Sequence, residues 1–271
     1  GVDYDFFYLP GIDPAYGSPV LVAGDIMAAF SDRPEVMAVM EYFSTGASVE
    51  GWVKAGGAIS PHNDSSLDWY SNDVDRGVAE IILNASTVRF DGSDLMPGAV
   101  GAGSFWKSMT DWVSGSVDLD TAMAEIDASW PKDGMTVQPT EEAMADTLLS
   151  RAMAGEFKGT TVSMTGPFTD EDAVKFNNSM TDFESKTGID IQYEGSKEFE
   201  ASISIRVEGG DAPDIADFPQ PGLLASFVKD GKVVDVSKFL DTKALKANYN
   251  QGWLDMSMMQ SPDAEIMAGV W

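Results

Sequence analysis

The chain has 271 residues, 44% of them apolar, which permits one large domain or two ordinary ones with a filled core. Its formal net charge of −27 argues against nucleic acid or an anionic membrane as partner, because both are bound by basic surfaces. The absence of cysteine excludes disulfides, thiolate metal sites and cysteine nucleophiles.

The first half of the chain alternates short extended segments with amphipathic helices. Strands are predicted at 4–9 and 20–30, the second interrupted by Gly24-Asp25, and an extended segment at 87–98. A helix is predicted from Asp32 as N-cap, with Pro34 in its first turn. Further helices are predicted over 47–57, 67–85, 103–115 and 118–130.

The middle of the chain differs from both halves. The helix-breaking "SWPKDG" at 129–134 resembles the end of a protein. Residues 132–158 then form a connector in which Thr140 is a good N-cap and acidic residues follow it, which suits the positive end of a helix dipole. We expect a single helix there.

The second half shows β-α alternation. Strands are predicted in "TTVSMTGPF", "IDIQYEG" and "PDIADFP", separated by helices that end at Gly188 and at Gly209-Gly210. Strands joined by helices of this length form a parallel sheet with right-handed crossovers, and ligands bind at the carboxyl ends of its strands. That edge would contain Gly166–Phe168, Gly195-Ser196 and Phe218–Pro221.

Two long stretches carry a family resemblance. The stretch "TGIDIQYEGSKEFEASISIRVEGGDAPDIADFPQPGLLASFVKDGKVVDV" resembles the beginning of extracellular solute-binding proteins of bacterial ABC sugar importers, close to the alpha-glucoside-binding group. The pieces "PVLVAGDIMAAFSDRPEVMAVMEYFST", "GGAISPH" and "RFDGSDLMPGAVGAGSFWKSMTDWVSG" resemble the end of such a protein. The resemblance implies an α/β fold of periplasmic-binding-protein-like (type II) lobes, both incomplete: a parallel-sheet βα segment and a helix-rich segment.

The resemblance also predicts the domain organisation. Residues 1–131 would be the C-terminal segment of a solute-binding protein, 132–158 the connector, and 159–271 the N-terminal α/β lobe segment. Either a window of a tandem fusion or a shortened circular permutant explains this order. We expect the window, because the N-terminus has no initiator Met or signal sequence and both ends look cut.

Candidate sugar-binding residues in the first half lie around one loop and one interrupted strand. The resemblance places a sugar-stacking tryptophan at Trp106, where a core role is the alternative. Asp94 lies on a glycine-flanked turn beside the same loop, with a solvated turn or cap as the alternative, and Met96 can line the pocket. Asp25 interrupts an apolar strand, so its carboxylate either meets ligand or pairs internally.

In the second half, the candidates are the residues that end each strand, because those loops offer backbone donors to an oxygen-rich ligand. They are Gly166, Phe168, Ser196, Phe218 and Gln220. The charged residue that maltodextrin-binding relatives carry after the first strand is replaced here by Pro167 and Phe168, which leaves the sugar unassigned.

The resemblance implies non-catalytic capture of an alpha-glucoside or oligosaccharide, without a cofactor or metal, for delivery to an ABC permease. We expect a periplasmic or extracellular location, with a lipid anchor through a missing N-terminus as an open alternative. No run of eighteen or more apolar residues occurs, so no membrane insertion is predicted. A fragment without affinity and a carbohydrate-active enzyme are the rival interpretations, and the enzyme would need a pair of carboxyl groups at a defined separation.

Overall fold

The structure is a computed structural model that describes residues 6–11, 13–92, 95–97, 99–130 and 147–271. The strands are β1 (Pro19–Val22), β2 (Ile26–Ala29), β3 (Thr87–Phe90), β4 (Thr161–Gly166), β5 (Asp190–Gly195), β6 (Ile215–Phe218), β7 (Met258–Gln260) and β8 (Glu265–Met267). The helices are α1 (Pro34–Phe43), α2 (Glu50–Ala55), α3 (Asp73–Leu83), α4 (Trp106–Val113), α5 (Leu119–Ser129), α6 (Leu148–Met153), α7 (Asp170–Thr187), α8 (Phe199–Glu208), α9 (Pro221–Lys229), α10 (Thr242–Asn248) and α11 (Gln251–Ser257).

The central sheet joins the two halves of the chain. Within the described ranges it has four strands in the order β2-β6-β4-β5. Strands β4, β5 and β6 run parallel, as the β-α alternation predicts, whereas β2 pairs antiparallel with β6, with Ile26 opposite Phe218 and Ala29 opposite Ile215. The predicted α/β fold is confirmed, and the strand from the first half completes its sheet.

Helix α7 ends and helix α9 begins where the sequence signals place them. Helix α7 ends at Gly188, whose φ of 73° is the left-handed conformation that glycine adopts without strain. Strand β6 is buried along its whole length, and Pro221 begins α9 at the helix position that tolerates proline. These local signals fix the crossovers that bring the three parallel strand ends to one edge.

Helices of the two halves also pack on each other. Helix α1 is buried from Val36 to Phe43, and its Tyr42 ring stacks on Phe183 of α7 with centroids 4.4 Å apart. The neighbouring Phe43 ring lies 6.2 Å from Phe176. Aromatic pairs contribute roughly 0.5–1.5 kcal/mol beyond area burial, so this contact stabilises the junction between the halves.

Several predicted elements differ in extent. A strand was predicted at 4–9, but residues 6–9 form no regular structure, so the prediction is wrong for those residues. The helix predicted over 67–85 begins only at Asp73, because the Asn72 side chain accepts a hydrogen bond from the Asp75 amide and caps it there. In the connector, the expected N-cap Thr140 lies outside the described residues, and the described helix is α6, capped by Thr147.

Among the helices that the structure describes, none has both the length and the apolarity needed to cross a bilayer.

Candidate functional site

Two adjoining cavities lie at the carboxyl ends of the parallel strands. The first has a volume of about 290 Å³ and is lined by Pro167, Ser196, Lys197, Glu198, Phe199, Glu200, Ala201 and Pro219. The second has a volume of about 390 Å³ and is lined by Ala23, Gly24, Asp25, Glu200, Pro219 and Gln220. Because the cavities share Glu200 and Pro219, they form one groove along this edge of the sheet.

Hydrogen bonds and a close backbone approach link the segments that follow β4 and β5 beside the first cavity. The Ser196 amide donates to the Gly166 carbonyl at 2.9 Å, and the Phe168 amide donates to the Tyr193 hydroxyl at 2.8 Å. A Cβ on Gly195 would lie 1.8 Å from the Phe168 carbonyl oxygen, so only glycine permits this approach. The two loops are therefore held in direct backbone contact.

The second cavity is built by both halves of the chain. Ala23, Gly24 and Asp25 come from the segment between β1 and β2, whereas Gln220 follows β6. Gly24 packs against the Trp253 ring of α11, from which a Cβ would be 3.6 Å away. The antiparallel pairing of β2 with β6 brings Asp25 to this edge.

A buried carboxyl lies behind this groove. Asp217 of β6 is fully buried, and neither of its carboxyl oxygens has a hydrogen-bond partner among the described residues. Burial raises the pKa of Asp217 well above its usual value, and the negative charge of Asp25 raises it further. Burial, and then the charge of Asp217, also raise the pKa of Tyr193.

The groove offers mostly oxygen acceptors. Asp25 and Glu200 contribute carboxylates and Gln220 an amide, while Lys197, the cation of the first cavity, lies 3.0 Å from the Asp170 carboxylate. Acceptors grouped in this way suit a neutral molecule with several hydroxyl donors. The described residues show no group of three or more carboxylate or histidine side chains placed to hold a metal ion.

Two known proteins are similar to about half of the chain. One relative, from Synechocystis sp., is named osmoprotective compounds-binding protein GgtB, and is 44% identical over 128 residues, which are 47% of this chain and 30% of that protein. A second, from Rhizobium meliloti, is named alpha-glucosides-binding periplasmic protein AglE, and is 40% identical over 132 residues, 48% of this chain and 29% of that protein. The chain resembles solute-binding proteins.

The resemblance predicted from the sequence is thereby confirmed over about half of the chain. The chain spans less than a third of the length of either relative, at 30% and 29%. No protein-family model matches it.

Three predicted site residues line the groove and two lie just behind it. Asp25 and Gln220 line the second cavity and Ser196 the first. Gly166 is buried, and a Cβ there would meet Asp217 Cβ at 2.8 Å. The Phe168 ring is half-buried against other aromatic rings, with the Trp52 centroid 4.7 Å away.

Phe218 needs a correction. It was predicted to contact ligand because it ends β6, but its side chain is fully buried, with ring centroids 5.4 Å from Phe199 and 5.8 Å from Phe227. Side chains alternate between the two faces of a strand, and Phe218 points into the core on the face opposite Asp217. It therefore supports the strand without reaching the groove.

Of the residues predicted around the front loop, the structure describes Trp106 and Met96, and neither lines the two cavities. Trp106 is the first residue of α4 and is 73% exposed, so it is not a core residue, but it lines neither of the two cavities. Met96 is half-buried, and Asp94 lies outside the described residues. Sugar stacking by Trp106 stays a prediction.

Sequence reasoning missed Glu200 and Asp217. A signal for Asp217 was present, because an acidic residue inside the apolar run "PDIADFP" is costly to bury, which is the argument that singled out Asp25. No comparable signal marks Glu200, which is one of several acidic residues near the start of α8.

Proposed function

We propose that the chain is part of a non-catalytic solute-binding protein that captures an alpha-glucoside or a related oligosaccharide and delivers it to the membrane permease of an ABC importer. The observation that carries this proposal is the second cavity, where Asp25 from one half meets Gln220 from the other around a space of about 390 Å³. Carboxylate and amide oxygens placed around such a space suit the hydroxyl groups of a sugar.

The relatives support the class of ligand and the place of action. One is named for osmoprotective compounds and the other for alpha-glucosides, and the second name includes the word periplasmic. Both names describe binding, which favours capture without catalysis. We extend this to a periplasmic or extracellular location for the present chain, with delivery to a permease as the purpose of binding.

We also propose the division into segments 1–131, 132–158 and 159–271, with the first corresponding to the end of a solute-binding protein and the last to its beginning. The alternation of helices with the parallel strands β4, β5 and β6 supports the assignment of the last segment. The pairing of β2 with β6 supports a functional cleft to which both segments contribute.

Calorimetric titration with maltose, trehalose and sucrose tests the function. We expect saturable heat from at least one of these sugars, and a loss of about tenfold in affinity in Gln220→Ala, because one hydrogen bond of about 1 kcal/mol or slightly more is removed. Gln192→Ala is the matched control, since Gln192 is exposed near the opposite end of β5 and its side-chain amide donates to the Asp190 carboxylate.

The same titration separates the alternatives. No heat from any of the three sugars, together with a folded circular-dichroism spectrum, would identify a fragment without affinity. Appearance of glucose during the titration would identify an enzyme and overturn non-catalytic capture.

A further inference from the structure

The carboxyl group of Asp217 receives no hydrogen bond from any described residue. It is fully buried, and both of its oxygens lack hydrogen-bond partners. An ionised carboxylate in such a place costs several kcal/mol unless a cation or several donors compensate it. Burial of this kind favours the protonated form of the carboxyl group.

The sheet register brings Asp25 close to this group. Asp217 pairs with Met27 across the antiparallel β2–β6 junction, and Asp25 lies two residues before Met27. Residues two apart in extended chain face the same side of a sheet, and diagonal neighbours on adjacent strands lie about 7–8 Å apart. The electrostatic effect of Asp25 on Asp217 agrees with this placement.

The other elements around Asp217 contribute few ionisable groups. Strand β4 contributes Gly166, where a Cβ would lie 2.8 Å from Asp217 Cβ and 2.9 Å from the Tyr193 hydroxyl. Strand β5 contributes Tyr193, whose hydroxyl accepts from the Phe168 amide. Helix α8 contributes Glu200 to the lining of both cavities. Among the described residues, no basic side chain forms a hydrogen bond or an ion pair with Asp217.

We propose that Asp217 and Asp25 act as a coupled carboxyl pair, in which a proton on Asp217 leaves the charge on Asp25 and so keeps Asp25 in place as a hydroxyl acceptor for the ligand. Asp217 is then a positioning residue of the groove. This inference rests on the proposed function, because it assumes a hydroxyl-rich ligand at Asp25.

The physical consequence is a dependence of binding on the proton. If Asp217 loses its proton, two like charges lie diagonally across the strand junction that presents Asp25. Their repulsion acts against the β2–β6 pairing, and Asp25 moves away from Gln220. Ligand affinity consequently falls at alkaline pH.

The test measures the protonation state and the affinity separately. Infrared spectroscopy of the full chain without ligand should show a protonated carboxyl band above pH 7, which is absent in Asp217→Asn and retained in the exposed control Asp263→Asn. In Asp25→Asn, this band should disappear at a lower pH than in the unmodified chain, because the negative neighbour is gone.

Affinity for the sugar that gives heat should fall about tenfold or more between pH 7 and pH 10 in the unmodified chain and in Asp263→Asn. In Asp217→Asn the affinity should stay constant, because the amide imitates the protonated acid. An equal alkaline loss in Asp217→Asn would overturn the positioning role.

Absence of a protonated carboxyl band above pH 7, or a band whose midpoint is the same in Asp25→Asn, would overturn the coupled pair, whichever sugar binds. If the band behaves as expected but no sugar binds at any pH, the proposed function is wrong and the coupled pair itself is upheld.

Discussion

Two of the polar sites where the halves of the chain meet, among the described residues, are built in opposite ways. At the first, the buried ring of His62 lies with Nδ1 3.0 Å from Ser60 Oγ and Nε2 2.8 Å from Tyr249 Oη, and the Tyr249 hydroxyl donates to the Trp271 carbonyl at 2.8 Å. At the second, across β2 and β6, Asp217 is equally buried but has no hydrogen-bond partner among the described residues.

The difference separates a contact that stabilises from one that costs stability. A buried polar group with its partners in place contributes about 0.5–1.5 kcal/mol per bond, whereas an unpaired one costs about 1–3 kcal/mol. Local rules are broken most often at functional sites. The His62 contact is therefore a structural connection, and the Asp217 contact, which adjoins the groove, is the one that points to function.

The largest expected effect concerns the satisfied contact. His62→Ala should lower the free energy of unfolding by about 3–4 kcal/mol, because it leaves a cavity and removes the hydrogen bonds of the buried ring to Ser60 and Tyr249. Chemical denaturation measures this change. Asn177→Ala, at an exposed position of α7, is the control and should change stability by less than about 0.5 kcal/mol. A similarly small loss in His62→Ala would remove the contrast between the two contacts.

The second effect is the pH dependence of stability at the same contact. Burial lowers the pKa of His62 from 6.5 to about 4. Between these values the unfolded chain binds a proton that the folded chain does not, so stability is complete above pH 6.5 and falls as the pH drops toward 4. The loss from this group is up to about 3 kcal/mol. Thermal denaturation from pH 7 to pH 4 should show a flatter profile for His62→Gln, and parallel profiles would contradict the assignment.

The third effect is the pH dependence of stability at Asp217, which runs in the opposite direction to that at His62. The pKa of Asp217 is raised by burial, so the folded chain keeps a proton that the unfolded chain releases above about pH 3.8. Stability therefore declines as pH rises above that value. Asp217→Asn should be more stable than the unmodified chain by about 1 kcal/mol at pH 7, with the gain vanishing below pH 3.8. A loss of stability at pH 7 would show that the carboxyl group is satisfied after all.

The smallest expected effect on stability lies outside both contacts, at Trp106. Because its ring is 73% exposed, Trp106→Ala should change the free energy of unfolding by less than about 0.5 kcal/mol. If the ring stacks on bound sugar, affinity should nevertheless fall by about 1 kcal/mol. Titration of Trp106→Ala beside Trp112→Ala, a second exposed tryptophan of α4, measures this difference. Equal affinities would remove Trp106 from the site.

Local signals predicted the second half of the fold well and the junction between the halves not at all. Gly188 and Pro221 mark where helices end and begin, and their conformational limits act within a few residues. The antiparallel partner of β6 is distant in sequence, and nothing in "GDIMAAF" specifies the strand that it will meet. Long-range pairing is therefore the part of the fold that periodicity cannot supply.

For the candidate site too, local features could be predicted from the sequence and features that depend on the assembled sheet could not. Asp25, Ser196 and Gln220, which line the two cavities, could be singled out from the sequence because strand ends and a charged residue in an apolar segment are local features. Phe218 was assigned wrongly, because the residue that ends a buried strand faces either side according to register. Asp217 was overlooked, since only the assembled sheet shows that its carboxyl group has no partner.

The pairing of β2 with β6 has a consequence for the way the chain is made. During synthesis, residues 26–29 leave the ribosome long before residues 215–218 exist, so β2 waits without its partner while most of the chain is translated. Such distant contacts raise the contact order and slow folding, and an unpaired apolar strand is prone to aggregate in the meantime. A chaperone that binds nascent chains would therefore need to shield β2 until residues 215–218 have been synthesised.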